Sequence, residues 1–178
     1  MSKITMGSKR SIELDHTASI LNKRQIIGWR EWIEFPSLHD TYIKAKIDTG
    51  ARTSSIHAWN IRAFSDGGTP YVSFVLHPVQ RRKLPEVECV AEIHDERSVT
   101  SSSGHKERRY VIKQTVKLKG VEWPIELTLA NRDLLGFRVL LGREALRKKF
   151  LVDPGRSFLG GRCIGDASTS SIKKGIKS

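Results

Sequence analysis

Residues 44–58 read Lys44-Ala45-Lys46-Ile47-Asp48-Thr49-Gly50-Ala51-Arg52-Thr53-Ser54-Ser55-Ile56-His57-Ala58, and the fold turns on how they are parsed. From Tyr42 to Asp48 the chain alternates strictly, with Tyr42, Lys44 and Lys46 on one face and Ile43, Ala45 and Ile47 on the other. A period of two is that of a half-buried strand. The strand runs into Asp48-Thr49-Gly50, where a hydroxyl residue and a glycine allow a tight turn whose backbone N–H groups can hold a carboxylate. Asp, Thr and Gly are also ordinary turn residues, so the triplet alone reads equally well as a plain turn.

Working outward, the pattern on both sides is mostly short strands. Gln25–Glu34 carries Ile26, Ile27, Trp29, Trp32 and Ile33 before Pro36 ends it. Thr53–Trp59 and Tyr71–Leu76 continue the theme, with Asp66-Gly67-Gly68 as a turn between them. Val87–Ile93 and Arg109–Lys119 flank the polar run Thr100-Ser101-Ser102-Ser103-Gly104-His105, which suits a long hairpin with a glycine-containing tip. Lys119-Gly120 marks a further turn, and Glu122–Ala130 a further strand in which Pro124 requires an edge or a strand start. Val139-Leu140-Leu141 is a short apolar run expected to be buried on both faces. After Gly142 the residues Arg143–Phe150 are good helix formers. The expected organisation is a flexible N-terminal arm (1–24), one folded domain (25–161) and a disordered basic tail (162–178).

Composition narrows the classes. The 178 residues fit one domain. No stretch approaches the roughly 18 consecutive apolar residues of a membrane helix. The N-terminal stretch lacks an apolar h-region, so a cytoplasmic location is the expectation by default. Cys89 and Cys163 lie far apart and in no C-x-x-C pair, as free thiols in a reducing compartment would. Formal charge is +12, of which +3 falls in residues 1–24 and +2 in residues 163–178, leaving the body basic as well. Such charge favours acidic partners through long-range steering. It lacks the clustering and aromatic interleaving of a dedicated nucleic-acid reader, so specific nucleic-acid binding is not expected.

The second decisive segment is Val139-Leu140-Leu141-Gly142-Arg143, whose glycine stands 94 positions after Asp48. An apolar strand into Asp-Thr-Gly-Ala, a flap-like hairpin, then an apolar strand ending in Gly-Arg before a helix resembles the single-domain retropepsin layout. Residues 44–58 also resemble the bacterial family labelled ATP-dependent zinc proteases. So do Val99-Thr100-Ser101-Ser102-Ser103-Gly104-His105-Lys106-Glu107-Arg108-Arg109-Tyr110-Val111-Ile112, Leu140-Leu141-Gly142-Arg143-Glu144-Ala145-Leu146 and Phe150-Leu151-Val152-Asp153-Pro154. Despite its label that family is retropepsin-like by its motifs, and the resemblance spans residues 26–160.

The resemblance implies a mainly β fold: a retropepsin-like β-barrel, closed or partly open, with one short C-terminal helix. It implies an aspartic endopeptidase in which Asp48 is catalytic, within the active-site loop Thr49, Gly50 and Ala51. Ser101, Ser102, Ser103, Gly104 and His105 become a flap or substrate loop. Leu141, Gly142 and Arg143 become its structural support, with Arg143 as an ion-pair residue. Peptide hydrolysis by aspartates needs two carboxyl groups sharing one proton. With one such triplet in the chain, the second must come from a homodimer mate. Members of the family are associated with ATP-grasp ligases that append glutamates to proteins, which implies a ligase partner and a peptide or protein substrate, possibly acidic.

No metal or cofactor is expected from the residues. None of the six histidines (His16, His39, His57, His77, His94, His105) lies in H-E-x-x-H or in a short Cys/His set, and there is no G-x-x-x-x-G-K-[ST]. Serine catalysis at Ser102 lacks a G-x-S-x-G elbow. Two other classes stand beside the peptidase: a non-catalytic peptide-binding or regulatory module partnering the ligase, and a basic ribosome- or RNA-associated protein.

Overall fold

Alternation and turn chemistry build an almost entirely β molecule. The computed structural model describes residues 24–79, 82, 84–100, 104, 106–130 and 136–161. The strands are β1 (Gln25–Gly28), β2 (Arg30–Phe35), β3 (Thr41–Asp48), β4 (Ser54–His57), β5 (Trp59–Asp66), β6 (Thr69–Leu76), β7 (Val87–Glu92), β8 (Asp95–Thr100), β9 (Lys106–Leu118), β10 (Val121–Ala130), β11 (Val139–Gly142) and β12 (Phe150–Asp153). One helical turn, α1 (Arg143–Leu146), follows β11. No helix among the described residues is long and apolar enough to cross a membrane.

Six strands close on themselves in the order β10-β4-β11-β3-β2-β9, with β9 pairing back to β10. The sheet is thus a closed barrel. Closure leaves no edge among these strands and surrounds one apolar core. β3 buries Thr41, Ile43, Ala45 and Ile47 and turns Tyr42 and Lys46 outward, as its period demands. Ile33 and Phe35 of β2, Ile56 of β4, Leu127 and Leu129 of β10, and Val139 and Leu141 of β11 complete the interior. Each such fully buried side chain contributes roughly 1.5–3 kcal/mol of transfer free energy. Pro124 lies where β10 has β9 as its neighbour, before pairing to β4 begins at Leu127, so its missing N–H breaks no ladder on that side.

Two hairpins are set by two-residue turns. Lys119 and Gly120 between β9 and β10, and Gly67 and Gly68 between β5 and β6, all have positive φ. This is the type I′ signature, whose twist matches the flanking strands.

Five expectations need correction. Gln25–Glu34 is two strands broken at Trp29, because β1 leaves the barrel to pair in parallel with β12. Thr53–Trp59 is likewise divided after His57. Val87–Ile93 is not the descending arm of the hairpin: β7 pairs with β6 in a separate sheet ordered β5-β6-β7, and β8 pairs with β9 instead. The helix is a single turn, since Arg147 leaves helical geometry and Phe150 is drawn into β12. Leu140, expected inside, is half-buried. The arm and tail assigned to residues 1–24 and 162–178 lie, apart from Arg24, outside the described residues.

Candidate active site

Asp48 stands where β3 ends, and its own carboxyl shapes the loop that follows. Oδ1 accepts the N–H of Gly50 at 3.2 Å and of Ala51 at 3.1 Å. This is a side-chain-closed turn of the kind Asp forms with the backbone two and three residues on. Oδ2 takes no hydrogen bond among the described residues. Asp48 is half-buried, while Thr49 and Gly50 are exposed. One oxygen is therefore fixed and the other is uncommitted among the described residues, beside an exposed loop.

β11 crosses behind this loop and locks it. It lies parallel to β3 with Leu141 beside Ile47 and Gly142 beside Asp48, and antiparallel to β4. The Gly142 N–H donates to Ser54 Oγ at 3.1 Å. The N–H groups of Arg143 and Glu144 donate to the carbonyls of Ala51 and Arg52 at 2.9 and 3.2 Å. A Cβ on Gly142 would stand 2.4 Å from the Thr53 carbonyl oxygen, a backbone atom. Gly142→Ala is therefore expected to push the loop from its support, costing about 1–3 kcal/mol, the usual range for an overpacked site. Thermal unfolding of the variant checks this; an unchanged melting temperature would contradict it.

Where the resemblance implied an ion pair at Arg143, the structure joins its neighbours: Arg52 Nε meets Glu144 Oε1 at 2.8 Å. The Glu144 carboxylate holds the Arg52 guanidinium above its ordinary value. Both groups are exposed, so the pair contributes little to stability. Arg143 lines a groove on this side of the loop, with Thr49 at its margin.

The β8–β9 hairpin is anchored to the barrel by charge. Arg97 Nη1 contacts Glu126 Oε2 of β10 at 2.8 Å, and His94 Nε2 stands 3.4 Å from Glu126 Oε1. Hydrogen bonding from Arg97 holds both Glu126 and Asp95 below the usual carboxylate range. Gly104 near the tip has φ +81°. Ser101, Ser102, Ser103 and His105 lie outside the described residues.

Other chemistries find less. Among the described residues no three His, Cys, Asp or Glu side chains gather as metal ligands. His57 and His77 are buried, each packed edge-on against the Trp59 ring. Burial pushes the Cys89 thiol up to about 11, leaving it protonated at neutral pH.

A family model described as retropepsin-like aspartic endopeptidase RimB matches residues 26–162. The chain belongs to this RimB-like family. Relatives include a protein named "Probable alpha-L-glutamate ligase" from Shewanella pealeana, 48% identical over 154 residues (85% of this chain, 33% of the relative). A protein of the same name from Desulfotalea psychrophila is 44% identical over 151 residues (85% of this chain, 32% of the relative). The chain thus spans about a third of the length of these curated relatives. A solved structure from Legionella pneumophila, of unknown function, superposes with a TM-score of 0.65 at 27% identity, covering 76% of this chain and 98% of that one.

Two features of the RimB-like domain escaped the sequence reading. Ser54, which receives the Gly142 N–H, lies in a plain Thr-Ser-Ser run with no signal to single it out. Glu31 is fully buried, and its carboxyl accepts the N–H of Gly28 at 2.6 Å, of Leu159 at 2.9 Å and of Gly160 at 3.0 Å. It pins residues 157–160 along β2, beside an Arg30 Nε–Ser157 Oγ bond of 3.0 Å. The signal was present: Glu31 shares the inward parity of Ile33 and Phe35 in β2.

Proposed function

We propose that the protein is an aspartic endopeptidase of retropepsin type whose catalytic centre is a pair of Asp48 carboxyls brought together by two copies of the chain. The observation that carries this reading is the state of Asp48 itself: Oδ1 held by two backbone N–H groups, Oδ2 uncommitted, on an exposed loop of a RimB-like chain. Two like charges at hydrogen-bonding distance cannot both persist, so the pair holds one proton. The ionised Asp48 takes a proton from water, whose oxygen attacks the peptide carbonyl carbon. The protonated Asp48 gives its proton to the carbonyl oxygen. Collapse of the resulting gem-diol breaks the C–N bond as a proton passes to the departing nitrogen. Thr49 and Gly50 face the mate, Leu141 and Gly142 hold the loop from behind, and the β8–β9 hairpin, with residues 101–105 at its tip, closes over the peptide.

The substrate class we favour is an acidic peptide, because the chain is strongly basic and its relatives are named for ligating glutamate. The same names support our proposal of a ligase partner, and in it lies a second reading. The matched region is about a third of each such relative, so the domain could serve a ligase as a regulatory module without cutting anything. Cleavage of an acidic peptide library from about pH 4 to 7.5 separates the two. The peptidase reading expects cutting that a transition-state inhibitor of aspartic peptidases stops and EDTA leaves untouched. Cutting stopped by EDTA alone would overturn it, and no cutting at any pH would favour the regulatory module.

A further inference from the structure

Beside the Asp48 loop lies a groove of about 790 Å³ whose charge is one-sided. Its lining is apolar at Leu146 of α1 and Phe150, Leu151 and Val152 of β12, and carries Arg24, Arg52, Arg143, Arg147 and Lys148 against a single carboxylate, Glu144. Glu144 is already engaged by Arg52. The other four cations have no carboxylate partner among the described residues. Arg24 goes further: its Nε is buried and has no hydrogen-bond acceptor among the described residues. Buried charged donors are normally satisfied, so Arg24 brings to the groove a guanidinium that no acceptor among the described residues neutralises.

The groove's position gives this charge a consequence. Thr49, next to Asp48, stands on its margin and is exposed. If two Asp48 loops meet across a two-fold axis, as proposed above, Thr49 brings each groove toward that interface, and the pair carries eight cations with no carboxylate partner among the described residues. Like charges closer than about 8 Å are only partly screened at physiological salt, so cations brought that near across the axis oppose pairing. The flanking segments are themselves net basic, residues 1–24 at +3 and residues 163–178 at +2.

We propose that the groove is a binding site for a multivalent oxyanion, and that its occupancy switches on pairing of the two copies and hence assembly of the Asp48 centre. The inference rests on the dimeric reading of the function and adds a ligand and a control to it. Arg24, Arg143, Arg147 and Lys148 bind the anion, with fork geometry from the guanidinium groups. The charge comes from a free polyphosphate or from a run of carboxylates on a peptide; both offer the same clustered oxygens.

Sedimentation velocity of the full chain tests this, at low salt, with added tripolyphosphate, with added hexa-aspartate, and in NaCl matched to each in ionic strength. One or both oxyanions should tighten self-association at least tenfold beyond the matched NaCl, and the one that does identifies the source. The double variant Arg147→Glu, Lys148→Glu should lose this response while keeping its melting temperature. Equal association in matched NaCl would reduce the effect to screening and overturn the site, leaving the Asp48 pair intact. A dimer already formed at low salt without added anion would overturn it likewise. A monomer under every condition would overturn the site; joined to cleavage that does not depend on Asp48, it would overturn the pair as well.

Discussion

Asp48→Asn should lower peptide hydrolysis on the order of 10²–10⁴-fold, the usual contribution of a positioned general acid or base, while leaving the fold in place. Asn keeps an oxygen where Oδ1 accepts the Gly50 and Ala51 N–H groups, so the loop has no reason to move. What it lacks is a group that can exchange a proton with water. Circular dichroism and thermal unfolding should therefore match the parent within about 1 kcal/mol, as a substitution that breaks no buried contact does. Rates measured on one acidic peptide across the pH range supply the readout. A variant that cuts at the parental rate would remove Asp48 from the chemistry.

Glu31→Ala should cause the largest loss of stability of any single change near the site. Three backbone N–H groups, of Gly28, Leu159 and Gly160, point at a carboxyl that is wholly buried. Each buried donor left without a partner costs roughly 1–3 kcal/mol. Residues 157–160 can swing into water and recover part of that, whereas Gly28 cannot: a Cβ there would already stand 2.4 Å from the Arg156 carbonyl oxygen. A net loss of about 3 kcal/mol follows, seen as a fall of roughly 6–12 °C in melting temperature. Glu31→Gln should cost less, because its amide oxygen can replace Oε1 for two of the three donors. Limited proteolysis should cut the alanine variant first within residues 154–161. Parental stability in both variants would show that the carboxyl does not hold this segment.

Local pattern carried much of the fold into the sequence, and long-range pairing carried the rest out of reach. The strict alternation of β3 put Ile43, Ala45 and Ile47 inside, and the glycine turns at Gly67-Gly68 and Lys119-Gly120 set two hairpins, because those signals act within a few residues. The helix was overread for the opposite reason. Lys148 and Lys149 are good helix formers, yet Lys148 takes φ +67° because Phe150 is drawn into β12 by a parallel partner, Gln25, 125 positions away. The same pairing breaks the first strand at Trp29. Nothing local assigns Val87–Glu92 to β6 rather than β9, since both offer an apolar face. Of the candidate site, Asp48, its loop and Gly142 stood out as types at a spacing, whereas the Arg52–Glu144 pair, the Ser54 contact and the groove exist only once β11 is laid behind the loop.

The central claim is that one catalytic centre is built from two Asp48 carboxyls, and mixing active and inactive chains tests it most directly. Wild-type and Asp48→Asn chains would be unfolded together, refolded in varied proportion at constant total protein, and assayed on one peptide. If the centre is shared, mixed pairs are inactive and the rate falls as the square of the wild-type fraction. A rate falling linearly with that fraction would mean each chain carries a complete site of its own, and would contradict the account.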